Sequence, residues 1–146
     1  MRLEDIRAIR DLVNGWAHCA DRRLPEQQAD LFAPDSEIVV FNDDPPTSDP
    51  VQHLRTRTEM IEAFGVLAQY EATTHFNGQS TIEIDGDTAS GESYCLAHHV
   101  SAKDGNRQLL VLSIRYLDRF VLTEAGWRFS QRRLLIDWTG TRPISE

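Results

Sequence analysis

Apolar residues from Leu3 to about Asp21 fall at Ile6, Ile9, Val13, Trp16, Ala17 and Ala20, a spacing that predicts an amphipathic first helix. Pro25 suits the first turn of a short second helix carrying Ala29, Leu31 and Phe32 towards Pro34-Asp35. The β-branched run from Ile38 to Phe41 predicts a strand, and the Pro- and Asp-rich stretch NDDPPTSD (42–49) predicts a break in it. Thr56-Arg57-Thr58-Glu59 resembles a capping box opening a third helix through Met60, Phe64 and Leu67. After Tyr70 the period changes. Four extended segments, about 73–84, 88–102, 107–123 and 127–139, are separated by Asp85-Gly86, Asp104-Gly105 and Ala125-Gly126, pairs that favour tight hairpins. The predicted order is α-α-β-α-β-β-β-β, an α+β chain forming one domain over 1–146.

Sorting each strand by parity indicates which residues share a face. In 88–102 the odd positions are Ala89, Gly91, Ser93, Cys95, Ala97 and His99, a face of small side chains ending in a histidine. Such a face leaves room for a cavity or accepts a closely packed helix. In 73–84 the odd face is His75, Asn77, Gln79 and Thr81, either solvated or lining a polar cavity, with Phe76, Ile82 and Ile84 opposite. Asp21 lies at the edge of the first helix's apolar stripe, where it either finishes the helix or projects into the space the helix covers. A carboxylate at a helix C-terminus opposes the macrodipole.

Charge narrows the function. Fifteen basic against twenty-three acidic residues give a net charge of −8, the wrong sign for nucleic acid or an anionic membrane surface. Arg128, Arg132 and Arg133 are read as pairing with this acidic surface. The two cysteines, Cys19 and Cys95, and a charged start without an apolar run of membrane length predict a cytoplasmic protein with reduced thiols. His98 and His99 are adjacent in a strand and so point apart, and the spacing lacks the pairs that place two metal ligands on one face; no metal is expected.

Read in order, HCADRRLPEQQADLFAPD, TTHFNG, DGDTASGESYCLAHH, the Arg115-Tyr116-x-Asp118 strand and GWRFSQRRLLIDW resemble the SnoaL-like members of the nuclear transport factor 2-like superfamily over almost the full length. The resemblance implies a cone-shaped, curved antiparallel sheet with three helices from the N-terminal half enclosing a pocket. It also implies an Asp–His dyad that removes a proton from carbon without a cofactor, as in the scytalone dehydratase and hexachlorocyclohexane dehydrochlorinase members. The matching positions are Asp21, to orient, and His75, the base; the second pocket histidine falls on His99, as an assisting acid. Trp16, Asn77, Ser93, Cys95, Ala97, Ser113 and Arg115 are the candidate substrate contacts. Two departures, Ala20 where scytalone dehydratase has tyrosine and Leu24 where an acid is common, imply a different substrate set.

The expected activity is dehydration, isomerisation or cyclisation of a small, mostly apolar cyclic substrate. The rival readings are a binding module using the same pocket and an oligomerisation domain without chemistry. A homodimer, or alternatively a trimer, joined through the outer face of the sheet is expected, and residues 42–56 are a candidate lid.

Overall fold

The computed structural model describes residues 2–42 and 49–145, so residues 43–48, the heart of the expected lid, lie outside the described residues. Helix α1 spans Leu3–Arg22 and buries Ile9, Val13, Trp16, Ala17 and Ala20 of the expected stripe, with Leu12 and Cys19 beside them, while Ile6 is half-buried. It ends at Arg23, whose backbone is left-handed (φ 59°, ψ 53°), and α2 (Pro25–Ala29) follows. Helix α3 (Arg57–Gly65) opens with the full capping box: Thr56 accepts from the Glu59 N–H and the Glu59 carboxylate accepts from the Thr56 N–H. A 3₁₀ turn (Val66–Gln69) leads into the sheet. No helix of the described residues is long and apolar enough to cross a membrane.

Among the described residues six strands form one sheet: β1 (Phe32–Phe41), β2 (Gln52–Leu54), β3 (Ala72–Asp85), β4 (Thr88–Lys103), β5 (Asn106–Thr123) and β6 (Gly126–Ile144). Their order is β2-β1-β6-β5-β4-β3, antiparallel except for the parallel pair β1–β6. The C-terminal meander matches the expected segments, with β6 running on to Ile144. Two differences lie upstream. Leu31 and Phe32 are not helical, because the Leu31 carbonyl accepts from the Phe129 N–H and draws the chain into β1. Short strand β2 falls within the stretch read as loop, held to β1 by three paired residues and by His53 Nε2 against Glu37 Oε2 at 2.7 Å.

Helices cover one face of the sheet, and the core lies between. Trp16 meets Phe32, Phe64 and Tyr116 edge-on, while Phe129 stacks on Phe32 and lies beside Phe120. Trp127 Nε1 donates to Asp5 at 2.8 Å and ties the start of α1 to β6. Gly91 is required by packing: a Cβ there would sit 2.9 Å from the Thr81 carbonyl oxygen.

Two of the sheet's bulges decide which side chains near the site face the helices. In β3, Gly78 and Gln79 together oppose Tyr94 of β4, so parity flips beyond them. His75 and Asn77 face inward before the bulge, and Ile82 and Ile84 face inward after it, paired with Gly91 and Ala89. The single odd face expected for 73–84 is therefore two half-faces. In β6, Ser130 is the extra residue between Phe129, paired with Phe120, and Gln131, paired with Arg119; it turns Arg132 inward.

Candidate active site

Asp21 sits in the last turn of α1, and β3 passes beneath that helix end. His75 Nδ1 donates to Asp21 Oδ1 at 2.7 Å, and the His75 backbone N–H donates to Oδ2 at 2.8 Å. An ionised carboxylate only accepts, so the ring proton sits on Nδ1 and Nε2 keeps its lone pair. Thr73 Oγ1 is the carboxylate's third donor, reaching Oδ1 at 3.1 Å. These bonds offset the unfavourable end of the helix dipole. The His75 side chain is only 7% exposed, against 23% for Asp21.

His99, on β4 opposite Thr73, lies with its ring centroid 6.0 Å from that of His75 and 4.5 Å from that of Tyr70. Burial first, then the His75 and Arg23 charges, hold its ring down to about 4, so it is neutral near pH 7. The assisting proton donor expected at His99 is therefore a neutral imidazole N–H. Its Nδ1 is buried without a hydrogen-bond partner.

This depressed value has a consequence for stability. The unfolded chain takes up the His99 proton first, at about 6.5, so stability from the neutral buried ring is complete above that pH. It drains away as acid lowers the pH towards about 4. Urea midpoints at about pH 7 and about pH 5 should differ less in His99→Gln than in the wild type. An equal drop in both would assign the acid sensitivity to other groups.

Between the dyad and the sheet centre lie the expected small residues: Ala97 opposite His75, Cys95 opposite Asn77, and Ser93 opposite Tyr116, all buried. Burial pushes the Cys95 thiol up to about 11, which leaves it protonated and a poor nucleophile. Asn77 Nδ2 donates towards α1, to Asn14 Oδ1 at 3.2 Å and to the Val13 carbonyl at 3.4 Å. Trp16 is buried in the aromatic cluster, next to Tyr116.

Ser113 and Arg115 are not in this group. The two-residue loop Asp104-Gly105 pairs odd residues of β4 with even residues of β5, so Ile114 and Tyr116 face inward and Ser113 and Arg115 face out. Arg115 there forms a bidentate pair with Asp137 at 2.8 and 3.0 Å.

Arg132 and Tyr116 enter instead. Arg132, read from sequence as a surface residue, is fully buried and forms a bidentate ion pair with buried Asp118 at 2.8 and 3.0 Å. Its guanidinium carbon lies 3.6 Å from the Tyr116 ring centroid and 4.6 Å from those of Trp16 and Phe129. Burial raises the Asp118 carboxyl while Arg132 pulls it back. Burial also raises the Tyr116 phenol strongly, keeping its O–H. Arg132 Nη1 is buried without a hydrogen-bond partner, unusual for a donor at this depth, while the buried Tyr116 hydroxyl lies against the Cys95 thiol and the Trp16 side chain. The even-numbered β5 face was legible from its two-residue loop; Arg132 was not, because the Ser130 bulge decides it.

Among the described residues no cluster of three or more His, Cys, Asp or Glu is arranged to hold a metal ion. The outer face carries a separate open trough of about 950 Å³, lined by Glu83, Glu92, Leu117, Arg119 and Arg133 among others.

Comparison with known proteins agrees with this architecture. The chain resembles a Novosphingobium aromaticivorans protein proposed to be a scytalone dehydratase, at 23% identity and a TM-score of 0.78, covering 98% of this chain and 91% of that one. It resembles a type 2 hexachlorocyclohexane dehydrochlorinase at 16% identity and a TM-score of 0.78, covering 99% and 91%. A proposed aromatic ring hydroxylase from N. aromaticivorans gives 22% identity and a TM-score of 0.79 over 99% and 96%. At these identities the likeness is one of fold. An uncharacterised Mycobacterium tuberculosis (strain H37Rv) protein is 37% identical over 67 residues, 46% of this chain and 45% of that protein, so the match spans less than half of the relative. The SnoaL-like domain profile matches residues 1–133, nearly the whole of the described fold, and the chain belongs to the SnoaL-like family.

Proposed function

We propose that this protein is a cofactor-independent lyase, isomerase or cyclase that removes a proton from carbon in a small, mostly apolar cyclic substrate. The observation that carries this reading is the 2.7 Å bond between His75 Nδ1 and Asp21 Oδ1, which leaves Nε2 as the base. Nε2 takes a proton from carbon beside a carbonyl, and the C–H electron pair moves to the carbonyl oxygen as an enolate. Asp21 stabilises the imidazolium. The unpartnered Arg132 Nη1 and the neutral His99 are the donors suited to a developing oxyanion. Collapse of the enolate then expels a β-hydroxyl, which leaves as water with the proton held on His75, or returns that proton to another carbon. Two unpaired buried thiols suit a cytoplasmic protein.

The test is solvent exchange. Cyclic ketones and β-hydroxyketones incubated with the protein in D₂O are followed by proton NMR for loss of the α C–H signal. Accelerated exchange or elimination for at least one compound supports the reading. Binding by a compound of the panel with no exchange anywhere in it would make the protein a carrier that uses the same residues.

The outer face fits a second copy of this chain. Phe76, Leu96 and Trp138, 70%, 40% and 56% exposed, lie in one row across the sheet with Ser113 between the last two. A trough on the same face carries Arg119 and Arg133 beside Glu83 and Glu92, a mixed-charge surface of the kind a two-fold partner can complement. Sedimentation should give a dimer that Trp138→Asp converts to a folded monomer. A monomeric wild type would remove this proposal.

A further inference from the structure

We infer that Arg23 and Thr73 are positioning residues for the dyad, acting as a directional hydrogen-bond relay that aims the Asp21 carboxylate at His75. This rests on the catalytic reading of the dyad for its purpose, though not for its geometry. Arg23 Nη1 donates to Thr73 Oγ1 at 2.7 Å, and Thr73 Oγ1 lies 3.1 Å from Asp21 Oδ1. A guanidinium has no acceptor, so the threonine oxygen must accept from it. The single hydroxyl proton is then left for the carboxylate. Every proton in the chain Arg23, Thr73, Asp21, His75 is thereby assigned a direction, ending with the imidazole proton on Nδ1.

The backbone supports this reading. Arg23 is the left-handed residue of a helix-ending cap, in which the Leu24 N–H donates to the Cys19 carbonyl and the Arg23 N–H to the Ala20 carbonyl, so the end of α1 itself fixes where the Arg23 side chain departs. Here the turn brings the guanidinium back under α1, where Nη1 also reaches the Ala20 carbonyl at 3.0 Å and Nη2 reaches the Tyr70 carbonyl at 3.5 Å. Thr73 is itself buried and neighbours His99 across the ladder. Asp21, by contrast, is open enough to water that its carboxylate could rotate away from Nδ1 if one of its three donors were lost.

The test needs no substrate. Nitrogen-15 NMR of the histidine rings reports whether His75 carries its proton on Nδ1 or Nε2. In the wild type the Nδ1–H form should dominate. Thr73→Val, close in shape but without the hydroxyl, should lower the Nδ1–H to Nε2–H ratio roughly five- to tenfold, the weight of one hydrogen bond. Thr73→Ser should restore it. Arg23→Met should lower the ratio in the same direction, and it should add nothing further in the Thr73→Val background, because the relay is already broken. An unchanged ratio in Thr73→Val would overturn the inference, as would an Arg23→Met effect of full size in that background. Should Thr73→Val fail to fold, Arg23→Met and Thr73→Ser decide alone: a reduced ratio in the first with a wild-type ratio in the second upholds the relay. A wild-type ratio in Arg23→Met rejects it. A dyad aimed by this relay in a protein that turns nothing over would refute the catalytic proposal and leave the positioning inference standing.

Discussion

His75→Ala is expected to abolish most of the carbon-acid chemistry, lowering the exchange or elimination rate by about 10²–10⁴-fold. Among the described residues, His99 is the basic ring beside His75, with its centroid 6.0 Å away, and its basicity is held down to about 4, so it is a poor replacement for Nε2. Asp21→Asn should approach the same loss while preserving the shape of the site. The amide can donate its own N–H to Nδ1 and so stabilise the tautomer with its proton on Nε2, where the base must be free. A loss below tenfold in His75→Ala would reject this mechanism. In both variants the substrate should still bind, so that the fall lies mainly in kcat.

Asp118→Ala is expected to cost stability on a comparable scale, about 3–5 kcal/mol, because it leaves the Arg132 guanidinium charged, fully buried and without its counter-ion. That is a large share of the roughly 5–15 kcal/mol available to a domain, and it would lower the Tm by roughly 6–20 °C. The double variant Asp118→Leu/Arg132→Met should recover most of the loss, since two apolar residues of similar volume need no charge compensation. Urea denaturation of the three proteins checks this. A full-sized loss in the double variant would mean that the ion pair contributes shape rather than charge balance. Because that double variant is expected to fold, it also separates the two duties of Arg132: slow turnover in a stable protein would assign its unpartnered Nη1 to the reaction.

Much of this arrangement was legible in the chain because local signals and tertiary structure agree. The apolar stripe ending near Asp21, the Thr56–Glu59 capping box and the Asp104-Gly105 hairpin each specify their geometry through a few neighbours. The Asp21–His75 pair came from the resemblance, and the geometry supplies its physical content, a bond between residues 54 positions apart. What was lost was lost to pairing at a distance. Leu31 and Phe32 keep a helical spacing but yield to β6, and Gln52–Leu54 becomes a strand only because β1 offers an edge. Parity read along a single strand carried Gln79 and Thr81 across the Gly78–Gln79 bulge to the wrong face. Arg132 was assigned to the surface on its charge, since the Ser130 bulge that turns it inward announces itself only through the register with β5. Ser113 and Arg115 were a different error, because the two-residue loop already assigned them to the outer face.

The bulge in β3 also bears on how this protein can change. It divides the strand into a polar half carrying Thr73, His75 and Asn77 and an apolar half carrying Ile82 and Ile84, both facing α1 only because one extra residue lies between them. Substitutions in either half leave the other in place, so the chemistry can be altered without rebuilding the hydrophobic floor. Deleting one residue between Asn77 and Ser80 is another matter. It would force one half to turn its back on the helix, sacrificing either the base or the floor beneath it. Variation in length along this strand is therefore closed to the protein, while variation in identity remains open.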